Sequence, residues 1–194
     1  MVLMNKKYIM APNEVEYNGF FYRINPEKKT AVLSKTNSSN PRFRQEQVLL
    51  DLKIPSSMYY NDEKYAVTGI DDSAFRECCA FESVDIPTSV SFMLRGAFLH
   101  CKSLKKVIIR GEVEIPLFKG VFTGTNLSEI HWYGGIDELV IFLIRMVSDE
   151  SSYHPDYDVI IIHVRKDSDI HMAERMTYRN EKGLSVKFKI EKDL

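Results

Sequence analysis

The residues that could do chemistry are few, and their spacing argues against it. His100, His131, His154, His163 and His171 are the natural candidates for metal binding or proton transfer. No pair among them has a familiar ligand spacing, and none adjoins a nucleophile motif that it could activate. They read as ordinary surface or hydrogen-bonded histidines. Cys78 and Cys79 are adjacent, and with Cys101 they make three cysteines. An odd number with an adjacent pair forms neither a disulfide framework nor a Cys-x-x-Cys site, so a reduced or disulfide-independent protein is expected. Asp156-x-Asp158 and Asp167-x-Asp169 start as calcium loops do, but the glycine and distal glutamate that complete such a loop are missing. The sequence has no G-x-S-x-G, no G-x-x-x-x-G-K and no G-x-G-x-x-G. Asn37-Ser38-Ser39 and Asn126-Leu127-Ser128 match the glycosylation sequon, which has meaning only in a eukaryotic secretory pathway. The expectation is a non-enzymatic chain with no catalytic residues, no metal and no cofactor.

Composition narrows the classes further. A chain of 194 residues is long enough for one compact domain with an appendage. Lys plus Arg number 26 against 27 Asp plus Glu, a net charge of −1, so a dedicated nucleic-acid binder is disfavoured. With 44% hydrophobic and 27% charged residues the chain can build a core. Its longest apolar run, Leu139 to Ile144, is far short of the ~20 residues that cross a bilayer, so no membrane insertion is expected. Lys6 and Lys7 are followed by Ala11-Pro12-Asn13-Glu14 where a signal peptide would turn apolar, so no complete signal is read in this stretch.

What the sequence does carry is a repeat. Ala74-Phe75-x-x-Cys78-x-x-Phe81-x-x-Val84-x-Ile86 recurs twenty-three positions later as Ala97-Phe98-x-x-Cys101-x-x-Leu104-x-x-Val107-x-Ile109. A worn third copy follows as Val121-Phe122-x-x-Thr125-x-Leu127-x-x-Ile130-x-Trp132, with Ile130 and Trp132 one further period on from Val107 and Ile109. An earlier rung, Leu49-x-x-Leu52-x-Ile54-Pro55, precedes Ile86-Pro87 by one period plus nine positions, which predicts a nine-residue insertion around Tyr59 to Tyr65. Such a unit cannot bury its own apolar residues and must stack on its neighbours. Alternation predicts Val84, Ile86, Val107, Ile109, Ile130 and Trp132 inward, on a parallel sheet. Phe fills the centre of each unit, and Cys acts there as a small buried hydrophobe.

At these residues, across Ile54 to Trp132, the chain resembles the BspA-like leucine-rich repeat family. Its units read Ala-Phe-x-x-Cys-x-x-Leu-x-x-Val-x-Ile-Pro. The stretch Tyr65-Ala66-Val67-Thr68-Gly69-Ile70 looks like that family's longer entry coil. Arg110 stands where the pattern has Pro, and Thr125 where it has Cys. The resemblance implies a right-handed solenoid of surface-associated or secreted proteins that bind other proteins, and no catalytic residues.

The elements that must hold these units are the flanks. The expected organisation is α/β: an N-terminal β cap over residues 1–47, a leucine-rich-repeat solenoid over 48–133 and an α+β C-terminal cap over 134–194. Val15 to Leu33 reads as a meander turning at Asn18-Gly19 and at Asn25 to Lys29. Lys35 to Gln47 reads as an exposed loop. After Gly134-Gly135, acidic Asp137 and Glu138 precede Leu139, Phe142, Leu143, Met146 and Val147 at helical spacing. Val140, Ile141 and Ile144 make the other side apolar too, which predicts a sandwiched helix. Strands are expected at Val159 to Val164 and Leu184 to Ile190, and a short helix at Asp169 to Tyr178.

The outward residues of the strands are Asp51, Lys53, Ser83, Asp85, Lys106, Ile108, Arg110, Glu129, His131 and Tyr133. Of these, Asp85, Lys106, Ile108, Arg110, Glu129, His131 and Tyr133 form the candidate partner-binding set, with Ile108 and Tyr133 as apolar anchors. Lys102, Lys105, Lys106 and Arg110 form a local basic stripe, read as a solvated face. The leading expectation is a module that binds a protein ligand through this face. The alternative is a structural or self-assembling element with homotypic contacts.

Overall fold

The computed structural model describes residues 13–36, 49–114, 120–147, 159–165, 177–179 and 185–194. The N-terminal meander forms as read: β1 (Glu14–Tyr17), β2 (Phe20–Asn25) and β3 (Thr30–Thr36) are antiparallel neighbours. Asn18 and Gly19, at φ 51° and 82°, supply the two left-handed residues that a tight hairpin with the right twist requires. Lys35 and Thr36 belong to β3 and not to a loop. The rest of the expected loop lies outside the described residues.

The repeats supply β4 (Leu49–Lys53), β7 (Phe81–Ile86), β9 (Lys106–Ile109) and β10 (Glu129–Trp132). Between the first two lie β5 (Ser57–Tyr60) and β6 (Glu63–Ile70), a hairpin turned by Asn61 and Asp62, both at positive φ. Its turn falls inside the stretch from Tyr59 to Tyr65 where an insertion is expected. A short strand β8 (Phe92–Met93), the helix α1 (Ile136–Val147), β11 (Val159–Val164), β12 (Thr177–Arg179) and β13 (Ser185–Lys192) complete the order.

Two sheets result. One runs β1-β2-β3-β6-β5 with β8 also on β6; the other runs β12-β13-β11-β10-β9-β7-β4. All pairs of the second are parallel except β12 with β13. The repeat period is visible as register, since Val84 lies opposite Val107 and Val107 opposite Ile130. The same offset stacks Ile70 on Met93 in the first sheet. There the Phe92 ring fills the place where a Cβ on Gly69 would sit, so a larger residue would have to push that ring aside.

The six predicted inward residues are all buried, each at 1% exposure or less. Between the sheets runs a column of phenylalanines. Phe75 and Phe98 stack with centroids 5.0 Å apart, and Phe98 and Phe122 at 5.5 Å, both pairs with nearly parallel rings. Phe20 from the meander meets Phe75 edge-on at one end, and Phe142 of α1 meets Phe122 at the other. Backbone amides lock the same turns, with Phe75 N–H donating to Ala97 O and Phe98 N–H to Val121 O at 2.8 and 2.9 Å.

Three expectations need correction. The content is mostly β, with α1 the one helix among the described residues, and not a balanced α/β mixture. The helix is not sandwiched all round: Leu139, Phe142 and Leu143 are buried, but Ile141 is 49% exposed. The strands expected against its far side instead extend the parallel sheet beyond β10, where their backbone groups find partners. Lastly, Thr177–Arg179 is a strand and not the end of a helix, its backbone paired to β13. Residues 169–176 lie outside the described residues. Among the described residues no helix is long and apolar enough to cross a membrane.

Candidate functional site

On the side of the parallel sheet away from the core, pairing sets side chains in rows, because alternate residues of every strand point the same way. One row reads Asp51, Ser83, Lys106, Glu129, Ile161 and Lys189. The next reads Lys53, Asp85, Ile108, His131, His163 and Glu191. Arg110 and Tyr133 follow at the C-terminal ends, their amides donating to Ile86 O and Ile109 O. All seven residues of the candidate set therefore share one face. Arg110 is exposed and the other six are half-buried.

The face is cross-linked by its own charges. Arg110 makes two 2.7 Å hydrogen bonds to the two carboxylate oxygens of Asp85. Its guanidinium also lies 5.5 Å from the centre of the Tyr133 ring. The Arg110 amide bond to Ile86 O is one that Pro, the pattern's residue at this position, could not make. Lys106 Nζ is 2.8 Å from Glu129 Oε1, and the Ser83 hydroxyl donates to Asp51. With Lys105 on Glu82 at 3.0 Å, three members of the basic stripe face carboxylates, so it is not an unpaired cationic patch.

The C-terminal strands bring in residues that the sequence reading left apart. His163 stands directly opposite His131, with ring centroids 4.5 Å apart. Glu129 Oε1 lies in contact with His131 Nε2 and 3.6 Å from His163 Nε2. On its other side His163 Nδ1 is 2.9 Å from Asp193 and 3.8 Å from Glu191. Lys189 closes the group, 2.7 Å from Glu191. Burial pushes the Glu129 carboxyl up, but hydrogen bonds from Lys106 and His131 outweigh it and hold the group below the usual carboxylate range. Two triads could hold a metal ion, Glu129–His131–His163 and His163–Glu191–Asp193, the donor atoms of each lying within 4.8 Å of one another.

A signal for this cluster did exist. Ile130-His131-Trp132 returns as Ile162-His163-Val164 after one period plus nine positions, the same offset that separates Ile54 from Ile86. The worn third copy hid that a further rung followed.

The thiols stand elsewhere. Cys78 and Cys101 are buried, and burial pushes both thiols up, away from the reactive thiolate. The Cys101 thiol donates to Phe75 O at 3.0 Å, tying successive repeats, while Thr125 in the worn copy donates to Phe122 O at 2.8 Å. An open cleft beside α1, lined by Val113, Ile141, Phe142 and the acids Glu112, Glu114 and Glu138, shares no residue with the sheet face.

A family model of the BspA type leucine-rich repeat region matches residues 39–140 in six copies. No curated protein matches the sequence. Among solved structures, a leucine-rich repeat protein from Bacteroides capillosus is 22% identical with a TM-score of 0.46, the match covering 74% of this chain and 89% of that one. A leucine-rich cell surface protein from Faecalibacterium prausnitzii is 22% identical at a TM-score of 0.40, over 66% of this chain and 28% of that one. The pneumococcal vaccine antigen PcpA is 14% identical at 0.44, over 92% of this chain and 38% of that one.

Proposed function

The chain belongs to the BspA-type leucine-rich repeat family, and on that premise we propose that it is a non-enzymatic module that binds a protein ligand through the row-ordered sheet face. We read residues 48–133 as a short right-handed solenoid with residues 1–47 as its N-terminal cap, and residues 134–194 as a C-terminal segment whose β11 and β13 continue its sheet. The aromatic closure of the Phe column by Phe20 and Phe142 supports that reading. Two similar solved proteins are named as a cell surface protein and a vaccine antigen, and a surface location for this chain belongs to the proposal.

The observation that carries the reading is the continuity of the face. Six parallel strands at ~4.8 Å make it roughly 24 Å across. With about three outward residues per strand it approaches the ~20 residues a side of a small standard interface. Ile108 and Tyr133 lie among charged neighbours, the usual arrangement of apolar anchors inside a polar rim.

The test is the double variant Ile108→Ser, Tyr133→Ser. Cross-linked partners are captured with equal amounts of wild type and variant and quantified, and both proteins are melted and sedimented. Loss of a partner at unchanged Tm supports recognition through this face. Capture that is unaffected by the double change refutes it. Concentration-dependent dimers of wild type that the variant loses, with no foreign partner lost, would make the contact homotypic.

A further inference from the structure

We propose that Glu129, His131 and His163 bind a divalent transition-metal ion of the zinc class at the centre of the sheet face. This goes beyond the protein-binding reading and does not depend on it. The donor set decides the class of ion: two imidazoles with one carboxylate suit zinc and its neighbours, whereas calcium and magnesium require shells of oxygen.

The fold places the three donors on rigid elements. Glu129 and His131 are two residues apart on β10, so both project from one side, and parallel pairing sets His163 directly across on β11. Their donor atoms lie within 4.8 Å of one another. A tetrahedral ion with bonds of about 2.0–2.1 Å needs donors about 3.4 Å apart, a closing that side-chain rotation supplies. Three protein donors leave a fourth position open to water or to a group from a partner.

Two further features fit. Asp193 engages His163 at Nδ1, at 2.9 Å from each carboxylate oxygen, which directs the lone pair to Nε2 on the side facing Glu129. A carboxylate behind a ligating imidazole is the common supporting arrangement around zinc. The imidazoles are 16% and 14% exposed, partly withdrawn from water, with their ring centroids 4.5 Å apart. Lys106 is the competitor, since its ammonium holds the same Glu129 oxygen at 2.8 Å. An entering dication takes over that oxygen and displaces Lys106 toward solvent. Glu191, paired to Lys189, completes the ring of charged groups facing the site.

The experiment is calorimetric titration of the tag-free full chain with Zn²⁺ near neutral pH, with Co²⁺ absorption as a readout of coordination. Wild type should bind one Zn²⁺, and Co²⁺ should show the intense visible bands of a low-coordinate ion. His131→Ala with His163→Ala should abolish both, while His100→Ala, at an exposed histidine elsewhere, should leave them intact. Asp193→Asn should weaken binding by about 10-fold or more through loss of the supporting carboxylate. Lys106→Met should tighten it. These last two opposite shifts test the site even where the double variant fails to fold. Absence of saturable binding overturns the proposal, as does equal binding by wild type and the folded double variant. Loss of binding on Glu191→Gln with no effect of His131→Ala would place the ion on the other side of His163 and overturn this assignment.

Discussion

Phe98→Ala is the sharpest test of the stacked-repeat core, because Phe98 is the central member of the aromatic column. It has no exposed surface and sits between the stacked rings of Phe75 and Phe122, with Phe81 edge-on at 6.3 Å. Truncating a buried Phe to Ala costs about 3–5 kcal/mol when the site cannot collapse. Collapse is restricted here, since both neighbouring turns are fixed by backbone bonds such as Phe75 N–H to Ala97 O at 2.8 Å. The upper half of that range, about 4–5 kcal/mol, is therefore expected. Against a typical total of about 5–15 kcal/mol this is a large share of the stability. Urea unfolding followed by circular dichroism and by Trp132 fluorescence measures it. Trp132 is the only tryptophan of the chain, is 1% exposed and donates from Nε1 to Gly135 O at 2.8 Å, so it reports on the last repeat and the start of α1. Both probes should shift together, because the column runs through to Phe142, which touches Trp132 at 5.1 Å. A loss below about 1.5 kcal/mol, or a Trp132 transition that stays at the wild-type midpoint, would refute the continuous column.

Three further outcomes follow from the geometry. In the native protein a thiol reagent should label Cys79, which is half-buried, ahead of Cys78 and Cys101, and denaturation should release the other two; a native count of three fast thiols would contradict the burial. Arg110→Ala should lower stability by about 1 kcal/mol or less, since Arg110 is largely solvated, while freeing the Tyr133 ring, so chemical nitration of Tyr133 should speed up more than Tm falls. The Glu129 carboxyl should titrate below the ordinary glutamate range and return toward it in Lys106→Met, as read by carboxylate NMR. Its folded-state pKa is depressed, so its contribution to stability is present above the unfolded carboxylate pKa and is lost as pH falls through the folded value.

The middle of the molecule was legible because its core is written in a fixed period. Val84, Val107 and Ile130 could be aligned by counting, and alternation then settled which of their neighbours face solvent. The hairpins were legible for a different reason, since Asn18-Gly19 demands left-handed backbone on the spot. Legibility failed where an element's place depends on what it packs against. The hydrophobic run of α1 could not reveal that Ile141 faces away from the core. Likewise the apolar strand Val159–Val164 fits a parallel sheet equally well as a separate cap or as a further rung, and only pairing with β10 decides. The His131–His163 pair falls in that gap. Neither residue has a partner at metal-motif spacing along the chain, and the one trace of their pairing is the distant return of Ile130-His131-Trp132 as Ile162-His163-Val164, which the register turns into contact.

That register also limits what the face can recognise. Three of its acids, Asp85, Glu129 and Glu191, are met by Arg110, Lys106 and Lys189 at hydrogen-bonding distance, so these pairs add little to long-range steering. A ligand docking here cannot gain by neutralising a patch already neutralised from within. The favourable contacts for such a ligand are those that leave the pairs intact and cover Ile108, Ile161 and the Tyr133 ring. On the proposed reading, a protein ligand would therefore be recognised by shape and apolar contact along fixed rows, with the charges of the face holding those rows in place.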